Sequence, residues 1–539
     1  MRRALALAAA VAAIAAAIAA AGSPAAANKP SPLDLIRKGL AQAVGAGQLD
    51  PGTASGYAAV ARRAVDELPT LPPLRATTLL EMLRDVAAQW RGYTTPWALT
   101  LFSMLEFNER QLTLERLPAS GTDRIGDDGV VYRFVKGHGY EFHPLANFAR
   151  LNTLVLAGSD DEAHQLATAL VARGVLRDGR LSFAYPFPFG SGRPPWTSGM
   201  AQAVAAQALA RTGEAVGDQT LLDAADEAYA AIPGRLDFRL PAGPWIKLYS
   251  FDRSAVLNAQ LQSAISIADY ADISGNTGAA GLAAALRAAA EAMLPRFDTG
   301  YWSLYSLSGS EAPLSYHDYV VSLLEKLASR TGDGRWREFA DRFEAYESQP
   351  PALKPAPAAA PAADDPIVIY PDPQDGYLDT ASFRFWLSKL STVTLHAGGR
   401  TVSLELAHGS HTIVWSPGLR APGTYHPYLT AHGPAGNTVR VALRQVVIRP
   451  LLAPRVDAHV VGLRTLVWEA QDEGTPWLHL VVRLEQGAVR RYRDLGRRPL
   501  SGRALLSLPP GSWQATLVAG NSAHRATAVD LGTVTGRAR

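Results

Sequence analysis

Four segments hold most of the side chains that could do chemistry. They are GVVYRFVKGHGYEFHP (129–144), GRLSFAYPFPFGSGRPPW (179–196), DFRLPAGPWIKLYSFDR (237–253) and FDTGYWSLYSLSGSEAPLSYHD (297–318). Each reads as extended chain rich in Tyr, Trp and Phe. Aromatic rings gathered on loops at one mouth of a scaffold stack on sugar faces, so the pattern points to a carbohydrate cleft. The plainer alternative is that the same rings fill the centre of the scaffold as core. Asp252, Asp298, Glu311 and Asp318 lie on or beside these loops. Glycoside hydrolysis would need two of them facing across a cleft, and no pair stands out. With no cysteine in the chain, disulfides, thiolate–zinc sites and a cysteine nucleophile are excluded. Nucleophile, phosphate-loop and zinc motifs are not found, and the acidic runs are too sparse for a calcium loop.

Helices must position these segments. Residues 30–347 are rich in Ala, Leu and Arg at helical spacing. A helix, a glycine turn and a second helix recur four times, with turn glycines assigned to Gly158, Gly213, Gly275 and Gly332. Glycine adopts the left-handed conformation cheaply and suits a helix C-terminus. Helical pairs repeating at about 60 residues stack into a solenoid or close into a ring. Alternation then brings all four aromatic connections to the same end.

The expected organisation is a multidomain chain, an α/α toroid followed by all-β immunoglobulin-like sandwich domains. Residues 30–118 form an N-terminal helical extension and 119–347 the toroid. Residues 348–365 read as a Pro/Ala linker. Beyond it, two sandwiches over 366–450 and 451–535 follow from period-two alternation. Trp386, Trp415 and Trp468 are expected in the sandwich cores.

Of 539 residues, 47% are hydrophobic and 19% charged, which describes globular material. The formal charge of +3 includes Arg2 and Arg3, so the remainder is near neutral and nucleic acid is not an expected partner. Residues 1–27 read as a secretory signal: Arg2 and Arg3, an Ala-rich apolar run from Leu5 to Ala21, then Ala25-Ala26-Ala27 as a cleavage site. A retained signal is the one expected route to a membrane. The protein is expected to be secreted or at the cell surface.

PPWTSGMAQAVAAQALARTG (194–213), YSFDRSAVLNAQLQSAISIADYADISGN (249–276), LPRFDTGYWSLYSL (294–307) and SYHDYVVSLLEKLASRTGDGRWREFADRFEAY (315–346) occur in the order found in D-glucuronyl C5-epimerase C-terminal domains. GYEFHPLANFARLN (139–152) resembles the preceding, weaker block. The resemblance covers about residues 130–347. It implies inversion at C5 of glucuronic acid units in a heparosan-type polysaccharide, with no cofactor and no metal in the site.

That chemistry removes a proton α to a carboxylate. The site must quench the carboxylate's charge, take the proton from one face and return one to the other. Tyrosine can do either if cations or hydrogen bonds lower its pKa. The resemblance places catalytic tyrosines at Tyr249, Tyr305 and Tyr316, with Tyr249 and Tyr316 as proton carriers and Tyr305 supporting. Lys247, Arg253 and Arg296 are candidate carboxylate ligands, and His317 could bind the uronate or tune Tyr316. Trp196 could stack on a sugar, and Gln202 and Asn258 could bind hydroxyls. Each has a structural alternative in packing, capping or a solvated charge.

The chain departs from the family at three places. Leu248 stands where a Glu precedes the first tyrosine, Ser306-Leu307-Ser308-Gly309 replaces Asp-Leu-Arg-His, and Val320 replaces a His. An acid, an Arg and a His are thus absent from their usual positions. Other readings stay open: a polysaccharide lyase or hydrolase on the same toroid, or a non-catalytic glycan-binding protein.

Overall fold

In the computed structural model, residues 30–356 and 365–537 are described. The expected signal over 1–27 lies outside them, as does the middle of the Pro/Ala segment. The chain divides into two compact units. The first runs to Arg342, apart from Gly300–Trp302, which group with Phe343 onward in the second.

The first unit opens with helices α1 (Pro32–Gly45), α2 (Pro51–Glu67), α3 (Pro73–Ala88) and α4 (Thr95–Leu114). Each carries proline in its first turn, where the missing N–H costs nothing. Ser31 and Asp50 cap α1 and α2 through their side chains. A three-stranded antiparallel sheet follows: β1 (Asp123–Ile125), β2 (Val131–Val135) and β3 (Gly139–Phe142).

Four helical hairpins come next. They pair α5 (Pro144–Leu156) with α6 (Asp160–Val171), α7 (Gly199–Val216) with α8 (Gln219–Ala230), α9 (Leu257–Ser274) with α10 (Thr277–Met293), and α11 (Leu314–Thr331) with α12 (Gly334–Ser348). Short antiparallel ribbons β4–β5 (Val175–Arg177, Arg180–Ser182), β6–β7 (Ala184–Tyr185, Trp196–Thr197) and β8–β9 (Asp237–Leu240, Gly243–Ile246) occupy the long connections. One apolar core runs from Ile36 in α1 to Leu286 in α10. The N-terminal helices therefore share a core with the repeat.

One turn glycine requires correction. Gly213 lies inside α7, buried; the left-handed cap is Gly217, at φ +69°. Gly158, Gly275 and Gly332 are left-handed as expected. From Gly158, the intervals to Gly217, Gly275 and Gly332 become 59, 58 and 57 residues, a tighter repeat than Gly213 allowed. Helix α7 shows why the glycine was misplaced. Fourteen of its residues are buried, six of them alanines, and so continuous a run of small residues gives no pattern by which to fix the helix end.

The second unit is all-β. Its first core joins the sheet of Leu353–Pro355, Ala381–Leu387 and Gly409–Trp415 to the sheet of Arg400–Leu406, Ser391–Ala397, Tyr428–His432 and Thr438–Ala442. The second core lies between Arg455–Val461, Thr465–Gln471 and Ser501–Leu505 on one side and Val489–Pro499, Trp477–Gln486, Gly511–Gly520 and Ala526–Gly536 on the other. The expected linker is in part a strand, since Leu353–Pro355 pairs with Phe385–Leu387. Trp415 and Trp468 are buried as expected, but Trp386 is only half-buried. Its ring meets Tyr301 edge-on at 5.6 Å and Lys354 over its face.

Candidate active site

The first helices of the hairpins, α5, α7, α9 and α11, surround a cavity of about 1110 Å³. Side chains at matching depths touch: Tyr319 bonds Gln262, and Gln207 bonds both Asn152 and Ser266. The four helices therefore run parallel, with their N-termini at one mouth. Each N-terminus carries about half a positive charge, which favours an anion there.

Tyr249, Tyr305 and Tyr316 all line this cavity. Backbone bonds fix each one. Ser250 donates its N–H to Thr197 O at 2.8 Å, tying the Tyr249 loop to β7. The carbonyl of Tyr305 accepts from Leu257 at the start of α9, and the N–H of Tyr305 reaches Ser310 O. Tyr316 sits in the first turn of α11. The phenols of Tyr249 and Tyr305 lie close enough to influence each other's titration. The rings of Tyr305 and Tyr316 meet edge-on at 5.2 Å. Burial pushes the Tyr249 phenol up to about 12 and raises Tyr305 further. This corrects the expectation of lowered phenols: loss of water outweighs any nearby cation, so both keep their protons at neutral pH. Tyr316, 42% exposed, is the most open of the three.

Trp196 also lines the cavity, but its indole N–H is taken by Phe187 O at 2.7 Å. It pairs across the β6–β7 ribbon with Tyr185, stacked at 4.0 Å. Asn258 lines the wall as expected, and so does Leu248 in place of the family acid.

Gln202 and His317 do not line the cavity. Both occupy the fourth position of their helix, where every hairpin carries a buried polar residue gripping the chain that precedes it. Asn147 of α5 exchanges bonds with Val131 at 2.7 and 2.8 Å. Gln202 holds Leu181 O, Ala228 O and Phe183 N–H. Gln260 of α9 holds Pro244 O, Leu286 O and Ile246 N–H. His317, fully buried, lies 2.7 Å from Ser303 Oγ. This register belongs to the fold, which displaces the expected substrate roles of Gln202 and His317.

The expected cations are displaced as well. Arg253 and Arg296 are exposed and lie away from the cavity, and Lys247 donates to Arg235 O. In their place the cavity wall carries Arg133, Arg211, Lys326 and Arg330 against one carboxylate, Asp269. Arg133 comes from β2, stands within electrostatic reach of Tyr316 and grips Asp123 by two bonds of 2.7 and 2.8 Å. At the far end Asp269 ties Gln207, Arg211 and Arg330 together. Asp252, Asp298, Glu311 and Asp318 are absent from the wall, so the two-carboxylate arrangement of a hydrolase is not assembled there.

His143, not anticipated as a site residue, caps α5: its Nδ1 accepts from Ala146 N–H at 3.1 Å. The proton therefore sits on Nε2. Burial, then the charge of Arg133, pulls its pKa down to about 3, so the ring is a neutral donor on the cavity wall. Its only sequence signal was the GYEFHP block.

Residues 177–345 match the family model of the D-glucuronyl C5-epimerase C-terminus. The match contains all three tyrosines and excludes Arg133 and His143. No curated protein matches the chain. Similar solved structures include a cellobiose 2-epimerase from Bacillus thermoamylovorans B4167, at 11% identity over 50% of this chain and 75% of that one, TM-score 0.33. A sugar epimerase from a ruminal bacterium matches at 10% identity over 51% and 75%, TM-score 0.33. A GH8 endo-β-1,4-glucanase from an Achatina fulica gut metagenomic library matches at 14% identity over 38% and 72%, TM-score 0.30.

Proposed function

We propose that the first unit is an α/α-toroid uronate C5-epimerase acting on glucuronic acid units of a polysaccharide outside the cytoplasm. One observation carries this reading: three phenols converge on a cavity whose wall holds four cations and one carboxylate. The sugar carboxylate lies toward Arg133, the helix N-termini and the Nε2–H of His143, which quench its charge as the C5 proton leaves. Tyr316, which reaches the cavity within electrostatic range of Arg133, is the base that accepts that proton. Tyr249, held protonated by burial, returns one to the opposite face and is left ionised. Tyr305, the neighbouring phenol, supports that phenolate as a donor. Proton exchange with water restores the pair. The second unit we read as immunoglobulin-like sandwiches that present the catalytic unit or hold the polymer.

The test is incubation with uronic-acid polysaccharides in heavy water, followed by NMR. Deuterium at C5 with intact chains supports the reading. Unsaturated uronides absorbing in the ultraviolet would instead establish a lyase, and no exchange on any uronide would leave a binding protein.

A further inference from the structure

Behind the cavity wall lies a second cluster that the proton chemistry does not use. Asp85 of α3, His138 of the β2–β3 turn and Glu141 of β3 each bring one donor atom within 4.8 Å of the other two. Asp85 Oδ2 and His138 Nδ1 are 2.7 Å apart. Glu141 is fully buried, and neither of its oxygens has a hydrogen-bond partner. A buried carboxylate without a partner is among the costliest groups a fold can hold. Its neighbour across the ladder, Arg133, gives its hydrogen bonds to Asp123 and none to Glu141.

We infer that Asp85, His138 and Glu141 bind a divalent first-row cation, with zinc the best fit. One imidazole nitrogen and two carboxylates form a mixed donor set suited to such an ion. A cation about 2.0–2.2 Å from each donor needs them within about 4 Å of one another, which small side-chain rotations supply. Binding moves the His138 Nδ1 proton to solvent and gives its lone pair to the metal. His138 and Asp85 are only part-buried, so an ion can enter from solvent. The ion would tie α3 to the β2–β3 hairpin, which presents Arg133 to the cavity. This departs from the expectation of a protein without metal, and it does not rest on the epimerase reading.

The full, tag-free chain is stripped with chelator and titrated with Zn²⁺ alone by calorimetry, then with Mn²⁺. One equivalent bound, with a raised Tm, is expected for the wild type. Glu141→Gln and His138→Ala should each weaken binding at least tenfold and abolish the rise in Tm. His138 lies on a turn, so His138→Ala decides the matter should Glu141→Gln fail to fold. No stoichiometric binding of either ion, or undiminished binding by His138→Ala, overturns the proposal.

Discussion

Two sets of polar side chains gather at the N-terminal ends of the same four helices, and they differ in kind. Asn147, Gln202, Gln260 and His317 recur at one register, are buried, and bond the preceding chain. Tyr249, Tyr305 and Tyr316 follow no register, line the cavity, and crowd one another. Polar groups that repeat with the scaffold hold it together; those that break the repeat are free to serve a ligand.

The contrast is sharpest in Tyr316→Phe. It should lower C5 exchange about 100-fold or more, the scale of general acid–base catalysis, while leaving Tm unchanged. Heavy-water NMR and calorimetry on one sample read both. Arg133→Gln should cost about tenfold in kcat/KM, the worth of one charge-assisted bond to a carboxylate, chiefly through kcat. Gln260→Leu should do the opposite of Tyr316→Phe. It orphans Ile246 N–H and the carbonyls of Pro244 and Leu286, costing about 1–3 kcal/mol and several degrees of Tm. Exchange per folded molecule should hold. A Gln260→Leu protein that is stable but inactive would erase the distinction between the two sets.

The remaining effect is on pH dependence. The folded pKa of His143 lies near 3, below the ordinary 6.5, so the unfolded chain binds the proton first as pH falls. This residue's share of stability is therefore full above about 6.5 and is lost progressively toward 3. Denaturant titrations of His143→Asn, which keeps a capping side chain, should show a shallower decline over that window.

Much of this was legible in the sequence. The 60-residue repeat, the shared mouth of the aromatic connections and the change to strands past residue 350 all rest on periodicity, which survives without an alignment. All three tyrosines reach the cavity because the connections carrying Tyr249 and Tyr305 and the first turn of α11 carrying Tyr316 open at one mouth. Gln202 and His317 were misread because a fourth-position polar residue looks the same whether it faces the cavity or the outer layer. Aligning Asn147, Gln202, Gln260 and His317 on the repeat would have exposed their common task. Arg133 and His143 have no sequence signal beside the tyrosines, because the β2–β3 hairpin and its exit deliver them from more than a hundred residues away from Tyr249. Asp85, His138 and Glu141 meet only when α3 packs on that hairpin.

The most direct test is a crystal structure of Tyr316→Phe with a glucuronate oligosaccharide. The account predicts a uronate with C5 between ring 316 and the Tyr249 hydroxyl, its carboxylate toward Arg133. A sugar bound elsewhere, or one in the cavity with C5 turned away from both rings, would contradict it.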